Sequence, residues 1–146
     1  MEGAYEDDAP WQAVQSLRRI GTRQVFEQAA EWTKSGVPLK RARGLDVLAQ
    51  LGRTVEHPSN NFPLEVYDVV TRALQTEHEL QPLDSAIAAL GHLGEQSAIP
   101  LIASHRSDSR SDIRFTVACA LGSFPNDALS VGRRARLGHV WARGTW

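Results

Sequence analysis

The amino-acid sequence predicts an all-α protein made of stacked antiparallel helix pairs. Three observations carry that expectation. Apolar residues recur at helical spacing, as in Val25, Phe26, Ala29 and Trp32, or Tyr67, Val70 and Leu74. Strand signals are nearly missing, with no sustained apolar–polar alternation and no Asn-Gly or Asp-Gly hairpin turn. The pattern Leu-x-x-apolar-Gly recurs at Leu17–Gly21, Leu48–Gly52 and Leu90–Gly94. A fourth copy runs from Leu121 to Pro125, with proline in place of the last glycine.

Taken in order, the first anchored helix covers residues 11–20 and ends at Gly21. A second helix lies within 22–35, with Thr22 as its N-cap, and the turn Gly36-Val37-Pro38 closes it. The helix carrying Leu48 follows and stops at Gly52. The stretch from His57 to Asn61 is rich in turn formers, and Asn61 is expected to cap a helix over 62–77. Pro82 suits the first turn of the helix carrying Leu90. An outer segment from Gly94 then leads to the helix carrying Leu121, and Asn126 reads as one further N-cap.

The anchor leucines are spaced 31, 42 and 31 residues apart. The surplus in the middle falls on the turn-rich stretch 57–63, where an insertion disturbs packing least. The residues four and three before each anchor, the anchor and the residue three after it form one apolar stripe. The positions five before, two before and two after project elsewhere. They hold Gln12, Gln15 and Arg19, then Arg43, Asp46 and Gln50, then Ser85, Ala88 and His92, then Thr116, Cys119 and Ser123. One side of each anchored helix is therefore expected to pack and the other to meet solvent or a partner. Since a single pair cannot cover its own apolar face, pairs must stack.

Residues 94–122 carry Ala98-Ile99-Pro100-Leu101, then Asp112-Ile113-Arg114, then Ala120-Leu121-Gly122. This sequence resembles a HEAT repeat, in particular the short type found in phycobilisome-lyase-like proteins. The resemblance is strongest over about residues 80–125, weaker over 11–53, and ends after residue 125. It implies a right-handed α-solenoid of outer and inner helices across residues 11–131. It also implies that Arg41 and Arg114, each seven before its anchor, pair with an acidic residue of the turns, with Asp108 or Asp112 as candidates.

Outside that span, residues 1–10 form an acidic start expected to be disordered, with Glu2, Glu6, Asp7 and Asp8. Residues 132–146 form an atypical basic tail with Arg133, Arg134, Arg136 and Arg143. That tail reads either as the truncated or frame-shifted end of a longer array or as a functional basic segment.

Composition narrows the function classes. The chain has 146 residues, with 16 Lys and Arg against 17 Asp and Glu, so it lacks a domain-wide basic footprint for nucleic acid. No apolar run approaches 18 residues, and the acidic N-terminus is no secretory signal. The single cysteine, Cys119, fits a reducing compartment, and a cytoplasmic location is expected. Arg18, Arg19, Arg23, Lys40, Arg41 and Arg43 concentrate positive charge early in the chain, which keeps nucleic-acid binding as a lesser alternative.

Catalytic signatures are missing from the sequence. HEAT-like deoxyhypusine hydroxylase holds two irons with several His-Glu pairs, whereas here there is one, His78-Glu79, eleven residues before its anchor and beyond the expected helix. No histidine has a second one at i+3 or i+4, and no phosphate loop or nucleophile elbow is present. No cofactor, metal or catalytic residue is therefore assigned. The expected function is a protein-interaction scaffold whose inner helices line a concave surface and bind a protein partner. Its candidate contact residues are Trp11, Gln12, Gln15, Arg19, Arg43, Asp46, Gln50, His92 and Phe115. An enzyme or enzyme accessory acting on a tetrapyrrole-like ligand is the alternative that the resemblance implies.

Overall fold

The computed structural model describes residues 8–124. Among these the ordered elements are helical: α1 (Asp8–Ile20), α2 (Arg23–Trp32), α3 (Pro38–Ala49), α4 (Pro63–Thr76), α5 (Leu80–Leu93), α6 (Ile99–Ala103) and α7 (Ser111–Gly122). One 3-10 turn, Gln96–Ala98, leads directly into α6. The all-α expectation holds. The first helix begins at Asp8 rather than Trp11, so the acidic start contributes its last residues to α1. The proposed N-cap Asn126 and the tail 132–146 lie outside the described residues.

Local chemistry explains the helix boundaries. Thr22 caps α2 by accepting the Val25 amide, as its sequence position suggested. Pro38 and Pro63 open α3 and α4, where a missing amide hydrogen costs nothing. Gly94 ends α5 in the left-handed region at φ 71°, its amide donating to the carbonyl of the anchor Leu90. Gly21 ends α1 in the same way on Leu17.

The helices pack in a regular order. Among α1, α3, α5 and α7, each contacts the next, and the α3–α5 contact is the most extensive in the molecule. The helices α2, α4 and α6 each pack on the one that follows, α3, α5 and α7 respectively. We call the first set inner and the second outer. The core runs along their junction: the anchors Leu48, Leu90 and Leu121 are buried, with Leu45, Ile87 and Val117 from the same stripes. Against them lie Phe26 and Ala29 of α2, Val66, Val70 and Leu74 of α4, and Ile99 and Ile102 of α6. Where α2 crosses α3, a methyl group at Gly44 would sit 2.6 Å from the Ala29 carbonyl oxygen, so only glycine allows this approach.

The longer interval between the second and third anchors has a structural use. Its chain returns across the ends of α1 and α3 and binds both. The Asn60 amide donates to the Leu48 carbonyl and the Asn61 amide to the Gly21 carbonyl, at 2.8 and 2.9 Å. The Asn61 backbone amide meets the Leu51 carbonyl, while the Gly52 amide meets that of Arg18. Asn61 is therefore not the N-cap of α4. Phe62 takes that position, because the Asn61 carboxamide is committed to α1.

The expected arginine partners also change. Arg41 makes a two-point ion pair with Glu77 at the end of α4, at 2.8 and 3.0 Å. Burial disfavours the Glu77 carboxylate, but the Arg41 hydrogen bonds, the amides of Glu79 and His78 and the Arg41 charge outweigh it and hold its pKa below the usual range. Arg114 donates to the carbonyl oxygens of Asp108 and Ser109, not to a carboxylate. The Asp108 carboxylate is taken by Arg110 two residues on, through side-chain and backbone hydrogen bonds that lower its pKa. Asp112 is exposed at the start of α7, where a negative charge suits the helix N-terminus.

Removing an anchor should open a cavity that the surrounding helices cannot fill. Leu90→Ala is expected to lower unfolding free energy by about 2–5 kcal/mol in chemical denaturation, and an unchanged midpoint would contradict the core assignment.

Candidate functional site

The inner helices meet along a repeated seam. One edge of each carries the positions six before and one after the anchor. That edge faces the positions five before and one before on the next helix. Trp11 of α1 lies over the guanidinium of Arg43 in α3, 5.8 Å from ring centroid to carbon. The Thr116 hydroxyl of α7 donates to the Asp84 carboxylate of α5. Gly91 of α5 abuts Ala120, where an added methyl would lie 3.0 Å from the Ala120 Cα. The Ser123 hydroxyl crosses the same seam to the Gly91 carbonyl.

One row of positions expected to face outward lies in this seam instead. In α3, α5 and α7 the position five before the anchor is a seam position, not an outward one, whereas its α1 equivalent, Gln12, is exposed. Arg43 in α3 is 0% exposed, and Ser85 and Thr116 are buried too. Arg43 is therefore withdrawn from the contact surface. It sits beneath Trp11 and forms a 3.7 Å ion pair with Asp46 one turn on. Asp46 is itself only 7% exposed.

Outward from the seam, α1, α3 and α5 enclose a cleft of about 240 Å³. Trp11 and Arg18 line it from α1, and Asp46, Ala49 and Gln50 from α3 or its end. On the α5 side stand Asp84, Ser85, Ala88 and His92. Four of the expected contact residues, Trp11, Asp46, Gln50 and His92, thus come together. Gln12, Gln15 and Arg19 lie on α1 outside the cleft, Gln15 half-buried and the others exposed. Phe115 is 66% exposed on α7 and also outside it.

Two charged residues of the cleft, Arg18 and Asp84, were not among the expected contact residues. Arg18 stacks on Trp11, 5.2 Å from its centroid, and donates to the Asp46 carbonyl at 2.8 Å. It follows Trp11 by seven residues, two helical turns, which places both on one face. Asp84 occupies the same repeat position as Trp11 and Phe115, and that equivalence was a usable signal.

The cleft holds polar groups in defined states. Gln50 Nε2 lies 3.3 Å from His92 Nε2. An amide nitrogen can only donate, so the imidazole nitrogen accepts and the ring is neutral. Burial, then the charges of Arg53 and Arg18, push the His92 pKa down to about 4. Burial likewise raises the Asp84 carboxyl, with repulsion from Asp46 and Asp112 adding to it and the Thr116 hydroxyl opposing it. Burial and the Asp84 charge keep the Cys119 thiol protonated, so it is a poor nucleophile. A histidine with so low a pKa is also a weak base at neutral pH.

Elsewhere, His78 and Glu79 are exposed in the α4–α5 connection. Among the described residues no group of three or more His, Cys, Asp or Glu side chains is placed to hold a metal ion. No described helix is long and apolar enough to cross a membrane. No family model matches the chain, and no significant similarity to a curated protein or a solved structure was found.

The His92 environment gives a pH signature. Its folded pKa lies below that of an unfolded histidine, so the unfolded state binds a proton first as pH falls. Stability should decline between about pH 6.5 and pH 4 by a contribution on the order of 3 kcal/mol. His92→Gln should lose less over that window than the parent, measured by denaturation at each pH. Parallel curves would show that the ring is solvated.

Proposed function

We propose that this protein is a non-catalytic interaction scaffold with a HEAT-like, right-handed solenoid architecture. Its inner helices would form a concave surface for a protein partner in the cytoplasm. The observation that carries the proposal is the cleft itself, where Trp11, Arg18, Gln50, Asp84 and His92 from three successive inner helices face a common space. The ordered contacts of inner with inner and outer with following inner helices support the repeat reading.

The cleft is smaller than the roughly 300–1,000 Å³ of small-molecule pockets, and its histidine and neighbouring thiol are tuned away from reactivity. It therefore favours a protruding side chain of a partner over an enclosed tetrapyrrole. Nucleic-acid binding also loses support. Arg43 is buried, Arg41 is held by Glu77, Arg18 is engaged within the cleft, and Arg23 pairs with Glu65 and Glu27.

Replacing Gln50 by alanine and Asp84 by asparagine together removes the Gln50 side chain and the Asp84 carboxyl without opening the core. The pair should reduce partner capture from native extract about tenfold or more while leaving the melting temperature unchanged or higher. Loss of capture and of thermal stability in proportion would mark the cleft as structural.

A further inference from the structure

From α2 to α7, four carboxylates are partly or fully withdrawn from solvent: Asp46, Glu77, Asp84 and Asp108. Three of them have an arginine. Arg43 pairs with Asp46, Arg41 with Glu77 and Arg110 with Asp108. Asp84 is the exception. Among the described residues no cationic nitrogen lies within ion-pair distance of it, and the charges that act on it are those of Asp46 and Asp112. Its seam neighbour is a neutral hydroxyl, that of Thr116, which reaches Oδ1 and leaves Oδ2 with no described donor. A carboxylate taken from water without a countercharge costs stability, so a cation that supplied one would be held there.

The rest of the cleft agrees with that polarity. Arg18, its lining cation, donates to the Asp46 carbonyl and stacks on Trp11. The Gln50 amide nitrogen is spent on His92, and its carboxamide oxygen has no described donor. What the cleft leaves open is therefore acceptor oxygen, at Asp84 and at Gln50. We infer that the cleft receives a basic side chain of the protein partner, an arginine or a lysine, whose head pairs with Asp84. This inference rests on the reading of the cleft as a partner surface. The side chain's aliphatic stem would lie against Ala88 on the way in. The space of about 240 Å³ suits one such side chain. A bare metal ion fits less well, because among the described residues no three His, Cys, Asp or Glu side chains converge. A phosphate group would meet the Asp84 charge and be repelled.

The test adds N-acetyl-arginine methylamide, or its lysine counterpart, to the full chain and follows the Asp84 carboxyl carbon and the Ala88 methyl by NMR. The citrulline isostere, similar in shape and uncharged, is the control. Both cations should give saturable shifts at millimolar concentration, with citrulline binding about tenfold more weakly or not at all. Asp84→Asn, read at the Ala88 methyl, should weaken the cations by the same factor without lowering the melting temperature. Ala88→Leu, read at the Asp84 carbon, narrows the cleft without changing a charge and should weaken them too. Citrulline binding as tight as arginine, no saturable shift with either cation, or cation binding that survives both substitutions would overturn the inference. Partner capture separates it from the reading on which it rests. Capture lost in the Gln50 and Asp84 double variant, with no cation binding, would overturn the basic side chain alone. Cation binding with capture untouched would keep the cation site and overturn its use by a protein partner.

Discussion

Successive inner helices pack against one another, and the positions of the core and the cleft follow from that packing. Between α5 and α7 it requires small residues, and Gly91 against Ala120 shows how little space remains there. Once α3, α5 and α7 lie that close, their anchor leucines point to one side and must be covered there. The outer helices supply that cover, and the polar positions are left on the other side. A larger residue in the seam would force the inner helices apart and disturb the core and the cleft together.

The same constraint separates what could be read in the sequence from what could not. Leucine anchors and their closing glycines are visible locally, because helix periodicity and a left-handed stop both act within a few residues. The burial of Arg43 is not visible in this way. Whether a position five before an anchor faces solvent depends on where the neighbouring helix sits, and Trp11, which covers it, is 32 residues away. Asn61 misled for a similar reason: its carboxamide serves α1, not the helix it precedes. Glu77 as the partner of Arg41 spans 36 residues, and the acidic turn residues nearer Arg114 were better candidates by sequence alone.

Within the cleft, the expected contact residues Trp11, Asp46, Gln50 and His92 came together, while on α1 Arg18 lines it in place of Gln12, Gln15 and Arg19. That helix presents Trp11 and Arg18 to its neighbour, an edge rotated from the one that Gln12, Gln15 and Arg19 occupy. Phe115 sits on the corresponding edge of α7, with most of its ring exposed. The two ends of the described array therefore differ in kind. At α1 an uncovered apolar stripe faces the outer-helix side, and at α7 a single aromatic stands on the seam side.

In the proposed function the inner-helix cleft, and not the outer face of α4, meets the partner. Photo-crosslinking decides it most directly, with a benzophenone side chain placed either at Ala88 in the cleft or at the exposed Gln75 on α4. Irradiation of the full chain in native extract should give a discrete adduct from position 88 and none from position 75. A discrete adduct from position 75 alone would contradict partner binding at the cleft.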